Sequence, residues 1–348
     1  MLNDRIEAKW IDAFARVFEL CKVQRGDAVA ILSETQSRDL NVHLSELALE
    51  RLGARSFHVR MPTPVQKVRL PVRSTGASDV IRGLGPVIGA LAGSTMVVDC
   101  SVEGLMHCAD LPAILKGGTR VLNLSDEHPD TLERLVPDPD LAPKVKNAVK
   151  LLKGSKRMHV RSAAGTDLSV DLVGAQSMGV WGYTDRPGTL AHWPGGIALA
   201  FPRAGSVNGR LVLDAGDINL TFKRYLERPL HFTVENDYVT RIDGEGTDAE
   251  LMRRYFAAWG DREAYATSHV GWGMNPLARY EALSMYDQRD TNGTELRAFA
   301  GNFLYSTGAN EFAHRFTLGH FDLPLRGCTI SVDNITVVED GVLQGEFA

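Results

Sequence analysis

No run of about 18 apolar residues occurs anywhere in this chain, so no helix is expected to span a membrane. Positive charge is not in excess: 38 Lys and Arg stand against 43 Asp and Glu, the net charge is −5 and the pI is about 6.1. The electrostatic footprint of a nucleic-acid binder is therefore missing. Cysteine is scarce. Cys21, Cys100, Cys108 and Cys328 form no Cys-x-x-Cys pair and no framework spacing, which suits a reduced cytoplasm better than secretion. The charged start, Asp4-Arg5-Ile6-Glu7, lacks the apolar segment of a signal peptide, and a cytoplasmic location is expected. No Gly-x-Gly-x-x-Gly follows the first strand candidate, and Arg82-Gly83-Leu84-Gly85-Pro86 is a poor substitute, so no nucleotide site is read. Internal repeats and low-complexity stretches are absent as well.

What is present is an ordinary globular composition. The 348 residues are 44% hydrophobic and 23% charged, enough for a large core and, as a soft expectation, two domains. Residues 4–22 read as an amphipathic helix, because Ile6, Trp10, Phe14, Val17 and Cys21 recur every three or four positions. Apolar runs at 28–32 and 95–99 read as buried strands and 55–59 and 120–124 as further strands, with helices at 37–52, 80–91 and 111–116 between them. Strands alternating with helices predict a mainly parallel sheet covered on both faces. Beyond the helix at 143–153 the texture changes to alternating hydrophobics. Hairpins are expected around Gly165 and across Glu235-Asn236-Asp237, and strands at 197–201, 210–213 and 218–222. Thr247-Asp248-Ala249-Glu250 reads as a capping box opening a helix. The expectation is an α/β Rossmann-like domain over 1–154 followed by a strand-rich α+β metal-binding catalytic domain over 155–348.

The residue types that carry chemistry concentrate in the second half. If 316–323 is a strand, His320 and Asp322 point to the same face, because side chains alternate with a period of two. His269, within Ser268-His269-Val270-Gly271-Trp272-Gly273, could complete a 2-His-1-carboxylate face of the kind that holds a divalent metal and leaves positions open. The loop Trp181-Gly182-Tyr183 to His192-Trp193-Pro194 offers a proton carrier and aromatic walls. Asp99 sits where a strand ends, with His107 in the loop beyond it. Arg326 could balance the carboxylate, bind an anionic substrate or form a surface ion pair. Gly301 to Gly308 could line a pocket, with packing as the default reading.

Taken together and in order, these segments resemble the 2,5-dihydroxypyridine 5,6-dioxygenase family, which opens a ring in aerobic nicotinate-type catabolism. The likeness runs from roughly residue 95 to 330. It is carried by Leu115-Lys116-Gly117-Gly118-Thr119-Arg120, His159-Val160-Arg161-Ser162, Gly182-Tyr183 through Pro187-Gly188, His192-Trp193-Pro194 and Leu213-Asp214-Ala215-Gly216-Asp217. The segments around His269, Gly301–Gly308 and His320-Phe321-Asp322-Leu323-Pro324-Leu325-Arg326 complete it. The resemblance implies Fe(II) held by His269, His320 and Asp322, with His107 and His192 near the substrate. His192 is then the first choice of base and His107 the second; Tyr183, Trp193 and Trp272 are candidates to hold the ring. One departure stands out: the family carries a glutamate before its aromatic-Gly-Tyr segment, where this chain has Val180. The implied reaction partners are a small hydroxylated aromatic and O2, in what is expected to be a homo-oligomer.

Three rivals remain open at this level. The His-x-Asp segment and the two-domain order are distantly similar to the M29 metal-dependent aminopeptidases, which would need extra carboxylates to bridge two metals. A 2-oxoglutarate-type oxygenase would need a histidine after Asp322, and none follows. A binding protein that has lost catalysis would have no need of iron.

Overall fold

The structure, a computed structural model, describes residues 5–65, 68, 77–124 and 126–348. The first half alternates as the sequence predicts. In chain order it runs α1 (Ala8–Leu20), β1 (Ala28–Glu34), α2 (Asp39–Arg51), β2 (Arg55–Met61), α3 (Gly85–Ala92), β3 (Met96–Asp99), α4 (Leu111–Leu115), β4 (Arg120–Asn123), α5 (Pro129–Arg134) and α6 (Leu141–Gly154). The strands β3 and β4 are buried throughout, as parallel strands covered on both faces must be. On one face α1 packs Trp10, Phe14, Val17 and Phe18, together with Leu44 and Leu49 of α2; Leu91, Leu111 and Ile114 of α3 and α4 cover the other. The expected helix from residue 4 begins at Ala8, and residue 4 itself lies outside the described residues.

The second half is strand-rich. It comprises β5 (Arg157–Ser162), β6 (Asp167–Asp171), β7 (Gln176–Val180), β8 (Leu190–His192), β9 (Ile197–Phe201), β10 (Val207–Leu213), β11 (Ile218–Asn219), β12 (Arg224–Tyr225), β13 (Leu230–Glu235) and β14 (Tyr238–Asp243). Then follow α7 (Gly246–Ala258), β15 (Thr267–Gly273), α8 (Ala282–Met285), α9 (Thr294–Ala298), β16 (Phe303–Asn310), β17 (Arg315–Leu325), β18 (Cys328–Val332), β19 (Ile335–Glu339) and β20 (Val342–Leu343). Eight strands form an antiparallel sheet in the order β14-β13-β10-β6-β5-β18-β19-β20, and five form a second in the order β17-β16-β15-β9-β7. One continuous core joins these two sheets to α6 and α7, with Phe232, Phe256, Trp272, Tyr305 and Phe321 at its centre.

α6 ends at Gly154, and beyond it the chain returns once to the first sheet. β8 pairs in parallel with β4, so the first sheet has the order β2-β1-β3-β4-β8 and takes its last strand from residues 190–192. Two local expectations are corrected. The strand expected at 218–222 stops at Asn219, whose Oδ1 accepts the Phe222 N–H at 3.0 Å and turns the chain. The capping box does not form either. The helix is capped at Glu245 without a side-chain bond, and Asp248 turns to the Glu227 N–H (2.8 Å) and to Arg224 (3.0 Å).

On β16, Gly308 adopts φ +105°, and a Cβ there would lie 1.8 Å from the Gly319 carbonyl oxygen of β17. Neither that backbone angle nor that contact tolerates a side chain. Gly308→Ala is therefore expected to lower unfolding free energy by about 2–3 kcal/mol, read by urea denaturation. A variant as stable as wild type would contradict the close approach of these two strands.

Candidate metal centre

β17, β16 and β15 lie side by side, and period-two alternation decides which side chains share a face. Phe321, Leu323, Tyr305, Phe303, Val270 and Trp272 enter the core. His320 and Asp322 of β17 and His269 of β15 face the other way, into a pocket. Between them β16 presents only small groups: Gly308 pairs with His320 and Ser306 with Asp322. At Gly308 a Cβ would strike the backbone of Gly319 and His320, so only a glycine lets β17 lie this close. Ile197, Leu199 and Phe201 of β9, with Leu304, supply the apolar wall.

The first half closes the pocket with residues at the C-terminal ends of its parallel strands, where α/β sheets gather their ligands. Glu103, Met106 and His107 come from the β3–α4 loop, Asn123 from β4 and His192 from β8. Asp99 holds that loop in place. Its carboxylate accepts the Ser101 N–H (3.0 Å), the Ser101 hydroxyl (2.5 Å) and the Leu105 N–H (2.8 Å). Burial pushes Asp99 up to about 6.

The donor atoms of His107, His269 and His320 all lie within 4.8 Å of one another. Asp322 Oδ1 sits 3.2 Å from His320 Nε2 and 3.7 Å from His269 Nε2. Its other oxygen accepts from Arg297 Nε at 2.5 Å, and Ser306 Oγ donates to Oδ1. Burial alone would raise the Asp322 carboxyl; Arg297 and then His320 outweigh it and hold it well below the ordinary carboxylate range. Burial lowers His269 strongly and His320 less, with Asp322 offsetting only part of it. The centre is thus a carboxylate among neutral imidazoles, the protonation states a metal ion requires. The donor set fits such an ion on a second ground: Nε2 of His269, Nε2 of His320 and Oδ1 of Asp322 converge, with the carboxylate oxygen 3.7 and 3.2 Å from the two nitrogens, and imidazole nitrogens with a carboxylate oxygen are ligands that suit a divalent ion.

His107 Nδ1 lies 3.0 Å from Glu311 Oε1. Burial raises Glu311, but the hydrogen bond and charge of His107 more than reverse this and leave it below its usual value. His192 Nδ1 donates to the Pro194 carbonyl at 2.6 Å, so Nε2 is its unprotonated atom. Burial lowers His192 to about 4, the Pro194 bond offsetting part of the effect.

The pocket therefore brings together His107, His192, His269, His320 and Asp322, and five other expected site residues lie elsewhere. Trp193 follows His192 directly and so points to the opposite face, edge-on to Phe14 at 5.1 Å, with Nε1 donating to the Leu135 carbonyl at 2.8 Å. Val180 is buried in that same cluster. Trp272, an odd number of residues from His269, falls on the core face against Phe347. Arg326 stacks over Tyr280 at 4.3 Å, and its N–H donates to Asp217 at 2.8 Å. Tyr183 lines a separate chamber of about 900 Å³ with Trp181, Phe312 and Phe316; it adjoins the metal pocket through Met106, His107 and Phe201. Residues that the sequence did not single out are Glu103, Asn123, Asn292, Thr294 and Arg297, all lining the pocket. Arg297 lies in a stretch without periodicity, which is why no pattern exposed it.

The 2,5-dihydroxypyridine 5,6-dioxygenase (NicX) family model matches residues 9–345. The 2,5-dihydroxypyridine 5,6-dioxygenase of Pseudomonas putida KT2440 is 36% identical over 338 residues, covering 96% of this chain and 95% of that one. The solved structure of 2,5-dihydroxypyridine dioxygenase from the same organism matches with a TM-score of 0.92 at 34% identity, over 100% of both chains. Wild-type AmpT from Thermus thermophilus matches at a TM-score of 0.63 and 13% identity, covering 97% of this chain and 99% of its own; it shares the fold. The likeness read from residues 95–330 thus extends through the first hundred as well.

The pH dependence of stability follows from His192. An unfolded histidine takes a proton below about 6.5, whereas His192 resists until about 4. Between these values the unfolded state binds more protons, so stability falls as pH drops from about 6.5 to about 4. Between pH 7.5 and pH 5, metal-free wild type should lose on the order of 2 kcal/mol more than His192→Asn in urea titrations. Equal losses in the two proteins would refute the buried neutral state.

Proposed function

The chain belongs to the 2,5-dihydroxypyridine 5,6-dioxygenase family, and we propose that it opens the ring of 2,5-dihydroxypyridine, or of a closely related hydroxylated heteroaromatic, with O2 at an Fe(II) centre. The observation that supports this most directly is the cluster of His269, His320 and Asp322, with Asp322 Oδ1 within 3.7 Å of both imidazoles. These three side chains would hold the metal as a 2-His-1-carboxylate face. When bound, Fe(II) would supply affinity for the substrate's deprotonated hydroxyl and the electron exchange with O2 that the protein's own side chains lack. In the net reaction the bond between ring carbons 5 and 6 would break and each carbon would gain one oxygen atom of O2, so that 2,5-dihydroxypyridine would give N-formylmaleamate.

The remaining work falls to named side chains. Arg297 and Ser306 hold the carboxylate of Asp322 in one orientation. A base must take the proton of the substrate hydroxyl. We assign that role to His107, whose ring is oriented by Glu311 and whose imidazolium that carboxylate would stabilise as it forms. His192, the first choice from sequence, is a poor base because burial lowers it to about 4; Nε2 is left to accept a hydrogen bond from the substrate. Ile197, Leu199, Phe201 and Leu304 exclude water from the ring's surroundings. With Val180 packed in the core, the polar contacts to the ring fall to Glu103, Asn123 and Arg297 of the pocket wall.

The aminopeptidase alternative would call for carboxylates bridging two metals. Among the described residues, the group whose donor atoms converge consists of three histidines, and Asp322 and Glu103 are the acids that line the pocket, which favours a single ion. The likeness to AmpT extends to fold only. Four free, buried cysteines suit a cytoplasmic setting, and among the described residues no helix is long and apolar enough to cross a membrane. Exposed Phe312 and Phe316 offer an apolar patch for a homo-oligomer.

Fe(II)-reconstituted protein is expected to consume O2 when given 2,5-dihydroxypyridine, one molecule per ring opened, read with an oxygen electrode and by loss of substrate absorbance. His320→Ala should bind no iron while keeping its circular dichroism spectrum. An iron-replete sample without oxygen uptake would exclude that substrate, and full activity in His320→Ala would refute the ligand assignment.

A further inference from the structure

Residues 287–298 lie between the two halves and join none of the three large sheets. Their one α-helix, α9, has five residues, far too few to hold its own shape in water. The segment is instead held from the first half by buried ionic contacts. Arg38 Nη2 donates to Asp290 Oδ1 at 2.9 Å and to the Arg289 carbonyl at 3.2 Å. Glu127 spreads its carboxylate over three successive backbone N–H groups: Oε1 accepts from Gly293 (3.0 Å) and Thr294 (2.7 Å), and Oε2 from Asn292 (3.2 Å). Arg134 forks onto both oxygens of Glu295 at 2.8 Å each. Glu127 and Glu295 are each 2% exposed, so these bonds operate away from water, where they are strong and directional.

The other side of the segment is the wall of the metal pocket. Asn292, Thr294 and Arg297 line it. Thr294 and Arg297 are three residues apart and therefore close to one helical turn apart. Any shift or rotation of the first turn of α9 moves the guanidinium of Arg297, whose Nε lies 2.5 Å from Asp322 Oδ2.

We propose that Glu127, together with Arg134, is a positioning residue for the metal centre: by fixing α9 it places Arg297, and through Arg297 it sets the aim of the Asp322 oxygen that faces the two histidines. The first half of the chain then determines metal affinity without supplying a ligand. The proposal rests on the metal reading above and extends it to residues on the far side of α9.

The test uses the whole protein, loaded anaerobically with Co(II) or Fe(II). Partners that orient metal ligands contribute about tenfold to a hundredfold in affinity. Glu127→Ala should weaken Co(II) binding by at least about tenfold and change the visible spectrum of the Co(II) protein. Glu127→Gln, which keeps an acceptor for the Gly293 and Thr294 N–H groups, should recover most of the affinity. Arg134→Ala should reproduce the loss, and decides the matter if Glu127→Ala fails to fold. Arg120→Ala serves as the control, because it removes a bond to the Cys21 carbonyl remote from α9. It should lower the melting temperature and leave Co(II) affinity unchanged. Affinity within twofold of wild type in folded Glu127→Ala, or in Arg134→Ala, would overturn the proposal. Wild-type protein that binds neither ion would overturn the metal reading itself, and this inference with it.

Discussion

A carboxylate buried beside three imidazoles is the constraint around which this molecule is built. Removing such a group from water costs several kcal/mol unless its charge is matched at close range. Arg297 supplies the match on one oxygen and Ser306 a hydrogen bond on the other. With the charge so held, His320 and His269 can lie 3.2 and 3.7 Å away as neutral rings. Without Arg297, the largest influence that keeps Asp322 ionised against burial would be lost, and a protonated acid is a poor partner for a cation. The guanidinium is as necessary to the site as any of the residues that would touch the metal.

The two halves divide the remaining tasks by the kind of sheet each contains. The antiparallel sheet offers a rigid surface on which strands can approach closely, and β16 exploits this with Ser306 and Gly308 between the two histidine-bearing strands. The parallel sheet offers strand ends and loops, and these supply polar groups that need not lie in register: His107, Asn123 and His192. A pocket at the junction is lined by side chains from both sheets. That combination suits a reaction in which a planar ring must be held still while protons move at its edge.

Much of this was legible in the residues. The period of two placed His320 and Asp322 on one face, and the alternation of helix and strand announced the parallel sheet. The same period, applied one residue further, would have turned Trp193 and Trp272 away from the site: each stands an odd number of positions from a pocket histidine and packs in a core instead. Aromatic residues next to glycines resemble a binding wall, yet burial of their large apolar area wins. β8 was not legible as a strand, since three residues carry no periodicity. Nor was Arg297: its helix is tied through Thr294 to Glu127 and through Glu295 to Arg134, 167 and 161 positions away. Partners so distant along the chain leave no local trace.

The return of β8 to the first sheet has a consequence for how the polypeptide can be divided. A fragment ending at α6 would leave the edge of β4 without its neighbour, and an open edge of buried, apolar character recruits other chains. Shuffling either half into another protein as a cassette would therefore carry a solubility defect at the seam. The chain is threaded through its own junction.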